Sequence, residues 1–203
     1  LLREGNGVLR SKKILRDEYF LNPQKAALAV SVAQSEIRLL KKLPKNKCSI
    51  YISIPFCPSR CSYCSFVSYT TKKLLSLIDD YLVEMMRDLE ETVKTIRMLG
   101  MEIATVYIGG GTPTTLNPQQ LKTLLKKIHS LVDTSSLLEF TLEAGRPDTI
   151  TREKLAIAKR YGVTRISVNP QTLSDELLSE IGRRHTVADF LRAFAMAKES
   201  GIR

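Results

Sequence analysis

Cys57-Pro-Ser-Arg-Cys61-Ser-Tyr-Cys64 is the stretch of this sequence best suited to chemistry. Three thiols fall within eight residues, and no cysteine follows Cys64. Thiolates are soft metal ligands, and three on one loop can each grip a different iron of a cubic [4Fe–4S] cluster. The fourth iron then has no protein ligand and is open to a small molecule. Tetrahedral zinc asks for four ligands, usually in C-x2-C pairs, and a fourth is hard to find. Cys48 lies nine residues upstream, at the opposite end of a strand, and His129 and His185 have no ligand-like spacing. Cys48 reads as a small buried apolar residue. A disulfide framework would spread its cysteines along a short secreted chain, so a reduced, cytoplasmic chain with a thiolate metal site fits better.

The second feature is Gly109-Gly110-Gly111-Thr112-Pro113-Thr114. Consecutive glycines remove side chains, so the backbone can approach a ligand and offer its polar groups. The run is neither G-x-G-x-x-G nor a P-loop, because no Lys follows. Alone it could be an ordinary turn. Beside the cysteine loop it describes a site.

Both features need elements to position them. Alternation predicts a strand over residues 49–54, with others at 104–108, 138–143 and 165–170. Helices are predicted at 23–42, after Asn22-Pro23, and at 74–99, stopped by Gly100. Others follow an Asn117-Pro118 cap, a Thr151 cap (ending near Gly162) and Ser174 (ending near Gly182). Thr186 and Asp189 form a capping box for a helix over 187–200. Residues 43–47 read as a linker from their Pro and charge. Four strand–helix repeats predict an α/β fold with parallel strands and right-handed crossovers.

The strand faces narrow the architecture. One face is aliphatic: Ile50, Ile52 and Ile54; Val106 and Ile108; Phe140 and Leu142; Ile166 and Val168. The other turns polar toward its C-terminal end: Tyr51 and Ser53; Thr105 and Tyr107; Thr141 and Glu143; Ser167, Asn169 and Gln171. A doubly wound sheet would make both faces apolar. A barrel has a polar lumen at its C-terminal strand ends, where such barrels do chemistry. A partial (β/α) barrel of four βα units is therefore predicted, with the fourth strand at an open edge.

The chain has 203 residues, 43% apolar and 26% charged, enough for a sizeable core and unlike a disordered chain. No apolar run approaches the roughly 20 residues of a membrane span. Its formal charge is +10. Residues 1–47 hold 11 basic and 4 acidic residues, a net of +7, against 20 and 17, a net of +3, over 48–203. The basic segment could meet nucleic acid or a small anion, and a solvated charged helix accounts for it equally well. Leu1-Leu2-Arg3 lacks an initiator Met, and Gly201-Ile202-Arg203 reads as a helix stop followed by the start of a strand, so a piece of a longer protein is expected.

Tyr51-x-Ser-Ile-Pro-Phe-Cys57-x3-Cys61-x-Tyr-Cys64-x-Phe66 with Gly109-Gly-Gly-Thr-Pro-Thr resembles the radical S-adenosylmethionine (radical SAM) superfamily. Within it, the match is to the oxygen-independent coproporphyrinogen III oxidase (coproporphyrinogen dehydrogenase) family. The likeness runs from Ser49 to Arg203, through Glu143, Arg165-Ile-Ser-Val-Asn-Pro-Gln171 and Ile181-Gly-Arg183-Arg-His185. It implies a TIM-like partial barrel over 48–203, cut before the fifth strand and preceded by a basic helical segment over 1–47. It implies a [4Fe–4S] cluster on Cys57, Cys61 and Cys64, with S-adenosylmethionine on the open iron. Tyr51 would flank that cofactor and Tyr63 its adenine. Gly110, Gly111 and Thr112 would meet its amine through backbone groups, and Glu143, Gln171 and Arg183 would hold its other polar groups. No catalytic residue beyond cluster and cofactor is implied. Arg184 and His185 read as a solvated basic pair.

The chemistry implied is one-electron cleavage of the sulfonium to a 5′-deoxyadenosyl radical, which takes hydrogen from a propionate side chain. The propionate then loses carbon dioxide to become vinyl, a step of heme (porphyrin) biosynthesis. A tetrapyrrole substrate and an electron donor such as flavodoxin or ferredoxin follow as partners. Two departures mark an oxidase-like branch. Phe66 stands where oxidases proper often carry a fourth cysteine, and Ser53 stands where a His is common. Some members of that branch are heme chaperones, which makes heme binding one alternative. Radical modification of RNA is another, weakened because no aromatic-interleaved basic patch appears.

Overall fold

Local signals begin most elements. The structure, a computed structural model, describes residues 1–42 and 46–203. Helix α1 (Val8–Asp17) and helix α2 (Pro23–Lys42) form one unit, Leu1–Lys47. The Asn22 side chain accepts from the Lys25 amide at 2.8 Å, and Pro23 takes the first helical position. Residues 43–45 of the expected linker lie outside the described residues.

The second unit, Cys48–Arg203, runs β1 (Lys47–Ile54), α3 (Lys72–Leu75), α4 (Ile78–Met98), β2 (Glu102–Gly110), α5 (Pro118–Leu131), β3 (Glu139–Ala144), α6 (Arg152–Arg160), β4 (Arg165–Val168), α7 (Asp175–Glu180) and α8 (Val187–Glu199). The sheet order is β1-β2-β3-β4. Val106 pairs with Phe140 and Leu142 with Ile166, both in parallel ladders. Spatial order follows chain order without the reversal that marks a doubly wound sheet, so the fold is a partial barrel.

One sheet face makes the core. Ile50, Ile52, Ile54, Val106, Ile108, Phe140 and Leu142 pack in one buried cluster with Leu82, Leu89 and Val93 of α4 and Leu121, Leu124, Leu125 and Ile128 of α5. A second cluster joins Ala144, Ile150 and Leu155 to Ala193 and Ala197 of α8. The opposite face stays open at β1, where Tyr51 and Ser53 are exposed. Among the described residues no helix is long and apolar enough to cross a membrane.

Three expectations change. The helix expected over 74–99 is broken into α3 and α4, because the Ser76 hydroxyl bonds back to the Lys73 carbonyl (2.8 Å) and competes with the helix. Strand β4 stops at Val168 rather than at Pro170, which has no N–H for a ladder. Its outer edge is not bare: Ile166 N–H donates to the Arg203 carbonyl (2.8 Å) and Arg203 N–H to the Thr164 carbonyl (3.2 Å).

A capping box anchors α5, which covers the sheet: Asn117 accepts from the Gln120 amide (2.8 Å) and the Gln120 side chain accepts from the Asn117 amide (2.9 Å). Asn117→Ala is expected to lower unfolding stability by about 1 kcal/mol in a denaturant titration. An unchanged midpoint would show that the packing of α5 alone fixes its start.

Candidate functional site

The loop after β1 carries Cys57, Cys61 and Cys64, all free thiols. Backbone bonds prolong the strand into it: Tyr69 N–H donates to Pro55 O (2.7 Å) and Cys57 N–H to Tyr69 O (3.1 Å). A tight turn follows, with Cys64 N–H on the Cys61 carbonyl (3.2 Å). Cys57 and Cys61 are buried and Cys64 is half-buried. Cys48 sits at the other end of β1, half-buried rather than buried, with its thiol on the Glu102 carbonyl (3.6 Å).

The glycine run locks onto this loop. Gly111 N–H donates to Ile54 O (2.8 Å) and Thr112 N–H to Phe56 O (2.9 Å). A side chain at Gly111 would meet Phe56 O at 2.8 Å and Cys57 Sγ at 3.0 Å. Gly110, at φ +103°, would place one 2.6 Å from Ser53 Oγ. The glycines therefore serve close packing on β1 and its cysteine, beyond the ligand access read from the sequence. Thr112 is buried and its hydroxyl lies 3.2 Å from Cys57 Sγ. Burial pushes the Cys57 thiol above its ordinary value, while the Thr112 hydroxyl and the Arg146 charge pull it back.

The ends of β1, β2 and β3 add a polar layer. The Tyr51 and Tyr107 rings stack, centroids 5.6 Å apart and 11° from parallel. The Tyr107 hydroxyl donates to Glu143 Oε1 at 2.5 Å. Burial, then the Glu143 hydrogen bond and charge, raise the Tyr107 phenol well above its ordinary value, so it stays a donor. Tyr51 is shifted upward too, by burial first and the Glu143 charge second. It is nonetheless 58% exposed and available as a surface for a ligand.

The segment after α7 closes over the loop. Ser62 N–H donates to Ile181 O (3.1 Å) and the Ser59 hydroxyl to Gly182 O (3.1 Å). Arg183 donates to Gly145 O (2.6 Å) and to the hydroxyl of Tyr63 (3.2 Å), whose ring is exposed. The Tyr63 hydroxyl is raised by burial, against the pull of Arg183. Gln171 is not on β4 as its alternation suggested. It is exposed beyond the strand end in a left-handed conformation, φ 64°, which costs a non-glycine residue on the order of 1 kcal/mol.

The sequence reading passed over Arg146 and took His185 for a solvated residue. Arg146 is buried, and its Nη2 donates to Ser59 O (2.6 Å) and to Cys61 Sγ (3.1 Å). An arginine directly after a polar strand end, in Gly145-Arg146-Pro147, was the available signal. His185 is 2% exposed, whereas Arg184 is exposed. Among the described residues neither His185 ring nitrogen has a partner with full hydrogen-bond geometry, the Pro170 carbonyl being only a weak acceptor, and Arg183 Nε has none either. Burial above all, then the Arg183 charge, lowers the His185 pKa, although the Pro170 carbonyl works against them.

These orphaned polar atoms and the free thiols suit a polar ligand and a thiolate-held cluster. Among the described residues no three His, Cys, Asp or Glu side chains converge to hold a single metal ion. Thiolates that each bind a different iron need not converge in that way.

A family model described as the radical SAM superfamily matches residues 51–203. The chain is 32% identical to the Bacillus subtilis oxygen-independent coproporphyrinogen-III oxidase-like protein HemZ, over 99% of this chain and 41% of HemZ. It is 42% identical to the B. subtilis heme chaperone HemW, over 76% of this chain and 40% of HemW. The structure of Escherichia coli coproporphyrinogen III oxidase (HemN), described as a radical SAM enzyme, superposes with a TM-score of 0.65 at 25% identity, covering 83% of this chain and 38% of that one. The chain thus spans about 40% of the length of the curated relatives it matches.

Gly111→Ala is expected to cost about 1–3 kcal/mol through forced displacement of the Cys57 loop. Alkylation of the Cys57 thiol should become faster. Gly145→Ala, whose new carbon would meet only Asn169 Nδ2 at 3.5 Å, should change neither readout.

Proposed function

The chain belongs to the radical SAM superfamily, whose cofactors are a [4Fe–4S] cluster and S-adenosylmethionine, and from that premise we propose that it is the cofactor-binding part of an enzyme that decarboxylates coproporphyrinogen III propionates to vinyl groups. One observation carries the cofactor reading: the three free thiols share one loop, braced by Thr112 and Arg146, beside the orphaned Arg183 Nε and His185 nitrogens. Cys57, Cys61 and Cys64 would hold the cluster, losing their protons as they bind. Bound together, cluster and S-adenosylmethionine supply one-electron chemistry able to take hydrogen from an unactivated carbon.

The residues of the chain bind and orient. Tyr51 and Tyr63 have exposed rings that would flank the cofactor, Tyr63 at its adenine. Gly110, Gly111 and Thr112 would meet its amino group through backbone groups. Glu143, oriented by the Tyr107 hydroxyl, would accept polar hydrogens of the cofactor. Gln171 and Arg183 would hold its remaining polar groups. The unit Cys48–Arg203 is the radical SAM core, and the basic unit Leu1–Lys47 is a separate helical segment before it. A flavodoxin- or ferredoxin-type donor supplies the electron, in a reducing cytoplasm that keeps the thiols free.

The likeness to HemZ, with "coproporphyrinogen-III oxidase-like" in its name, and the fold shared with HemN support the decarboxylase reading. The likeness to HemW, called a heme chaperone, supports a second: heme binding and delivery on the same scaffold. Phe66 and Ser53 favour that alternative, since both depart from the pattern of the oxidases proper.

Anaerobic reconstitution with iron and sulfide should give a cluster visible by absorbance and electron paramagnetic resonance. Alanine at Cys57, Cys61 or Cys64 should abolish it, and Cys48→Ala should not; equal iron loss in Cys48→Ala would sink the three-thiol reading. Glu143→Ala and Arg183→Ala should each weaken S-adenosylmethionine binding about tenfold or more, as expected for one lost charged hydrogen bond, with iron content unchanged. With coproporphyrinogen III and a reductant, the full-length protein should form a vinyl product. Stoichiometric heme binding without vinyl product would establish the chaperone reading instead.

A further inference from the structure

Arg146 lies just beyond the end of β3, with its side chain turned into the cysteine loop and 3% exposed. Among the described residues its guanidinium meets no carboxylate within ion-pair distance; its acceptors are the Ser59 carbonyl (2.6 Å) and the Cys61 sulfur (3.1 Å). Arginine keeps its charge at any pH a folded protein meets, and burying that charge without a counter-charge is unfavourable. A neutral thiol is a weak acceptor, whereas a thiolate is a strong one for a charged donor. The arrangement therefore places a fixed, buried positive charge and a charged N–H donor 3.1 Å from Cys61 Sγ.

We propose that Arg146 is a positioning residue that raises the reduction potential of the cluster, through a fixed positive charge and an N–H···S hydrogen bond on Cys61. The proposal rests on the reading of Cys57, Cys61 and Cys64 as cluster ligands. Reduction of the cluster from the 2+ to the 1+ state adds one electron from an external reductant and makes or breaks no covalent bond. The reduced state carries one more negative charge beside Arg146. A buried cation and a hydrogen bond to sulfur stabilise that state more than the oxidised one. The same guanidinium braces the Ser59 carbonyl, so a purely structural role is the competing account.

The test is a redox titration of the reconstituted protein with dithionite, read by electron paramagnetic resonance, on wild type, Arg146→Gln and Arg146→Lys. Arg146→Gln is expected to lower the reduced-to-oxidised ratio at a fixed ambient potential about tenfold, which is a midpoint about 59 mV more negative for a one-electron couple. Arg146→Lys keeps the charge but loses the planar fork and should fall by less. Wild-type potential in a loaded Arg146→Gln protein overturns the inference and leaves the cysteine reading intact. If Arg146→Gln does not load, Arg146→Lys decides: a lowered potential supports the inference and an unchanged one overturns it. Failure of both variants to load beside a loaded wild type assigns Arg146 to loop assembly and overturns the redox role. A wild-type protein that binds no cluster removes the cysteine reading itself, and this inference with it.

Discussion

The cysteine loop contains neither helix nor strand, so its shape is imposed from outside. Gly111 holds Ile54 at its base, Tyr69 and Thr112 hold Cys57, Arg146 holds Ser59 and Cys61, and Ile181 and Gly182 hold Ser62 and Ser59. Ordering a free loop costs about 1–2 kcal/mol per residue, which a bound ligand would otherwise have to supply. Those holding groups sit at or just beyond the ends of β1, β2 and β3 and after α7. The loop is in place only because the parallel ladders bring those ends level.

The two faces of the sheet divide the labour. The aliphatic face packs with α4 and α5 in the larger of the two buried clusters. That frees the other face to carry Tyr51, Tyr107 and Glu143 without losing the core. The glycine run is the point where the two demands meet. Its residues must be small enough for β2 to press against the end of β1, yet they end beside Cys57. Any side chain there would separate the site from the sheet that positions it.

The treatment of buried polar groups separates scaffold from site. Lys154 is buried under the Gly-Thr-Pro-Thr loop and donates to the Thr114 and Thr149 carbonyls at 2.7 and 2.9 Å, while the hydroxyls of Thr114 and Thr149 lie 2.6 Å apart. That network is satisfied internally and ties the loop after β2 to the one after β3. Arg183 Nε and both His185 nitrogens have no such partners, and all three belong to the segment that closes over the cysteines. Among the described residues Ser11 Oγ and Ser68 Oγ are also unpartnered, but only after α7 do three such atoms fall on two residues within three positions, and buried polar atoms are nearly always paired in folded proteins.

The sequence alone was enough to determine what depends on near neighbours. The alternation of Ile50, Ile52 and Ile54, the Asn117 cap, the Thr186 capping box and the parallel α/β order were all legible, because each is a short-range pattern of period or cap. The spacing of Cys57, Cys61 and Cys64 was legible for the same reason. The break at Ser76 and Leu77 was not, since a competing hydroxyl bond leaves no periodic trace. Only the tertiary structure decided the rest. Cys61 and Arg146 are 85 residues apart, and Ser59 and Gly182 are 123 apart. Pairs so distant meet because the sheet register aligns the strand ends. Likewise, His185 is buried by its neighbours rather than by any local pattern, and burial by distant elements is what makes an ordinary-looking basic residue part of a site.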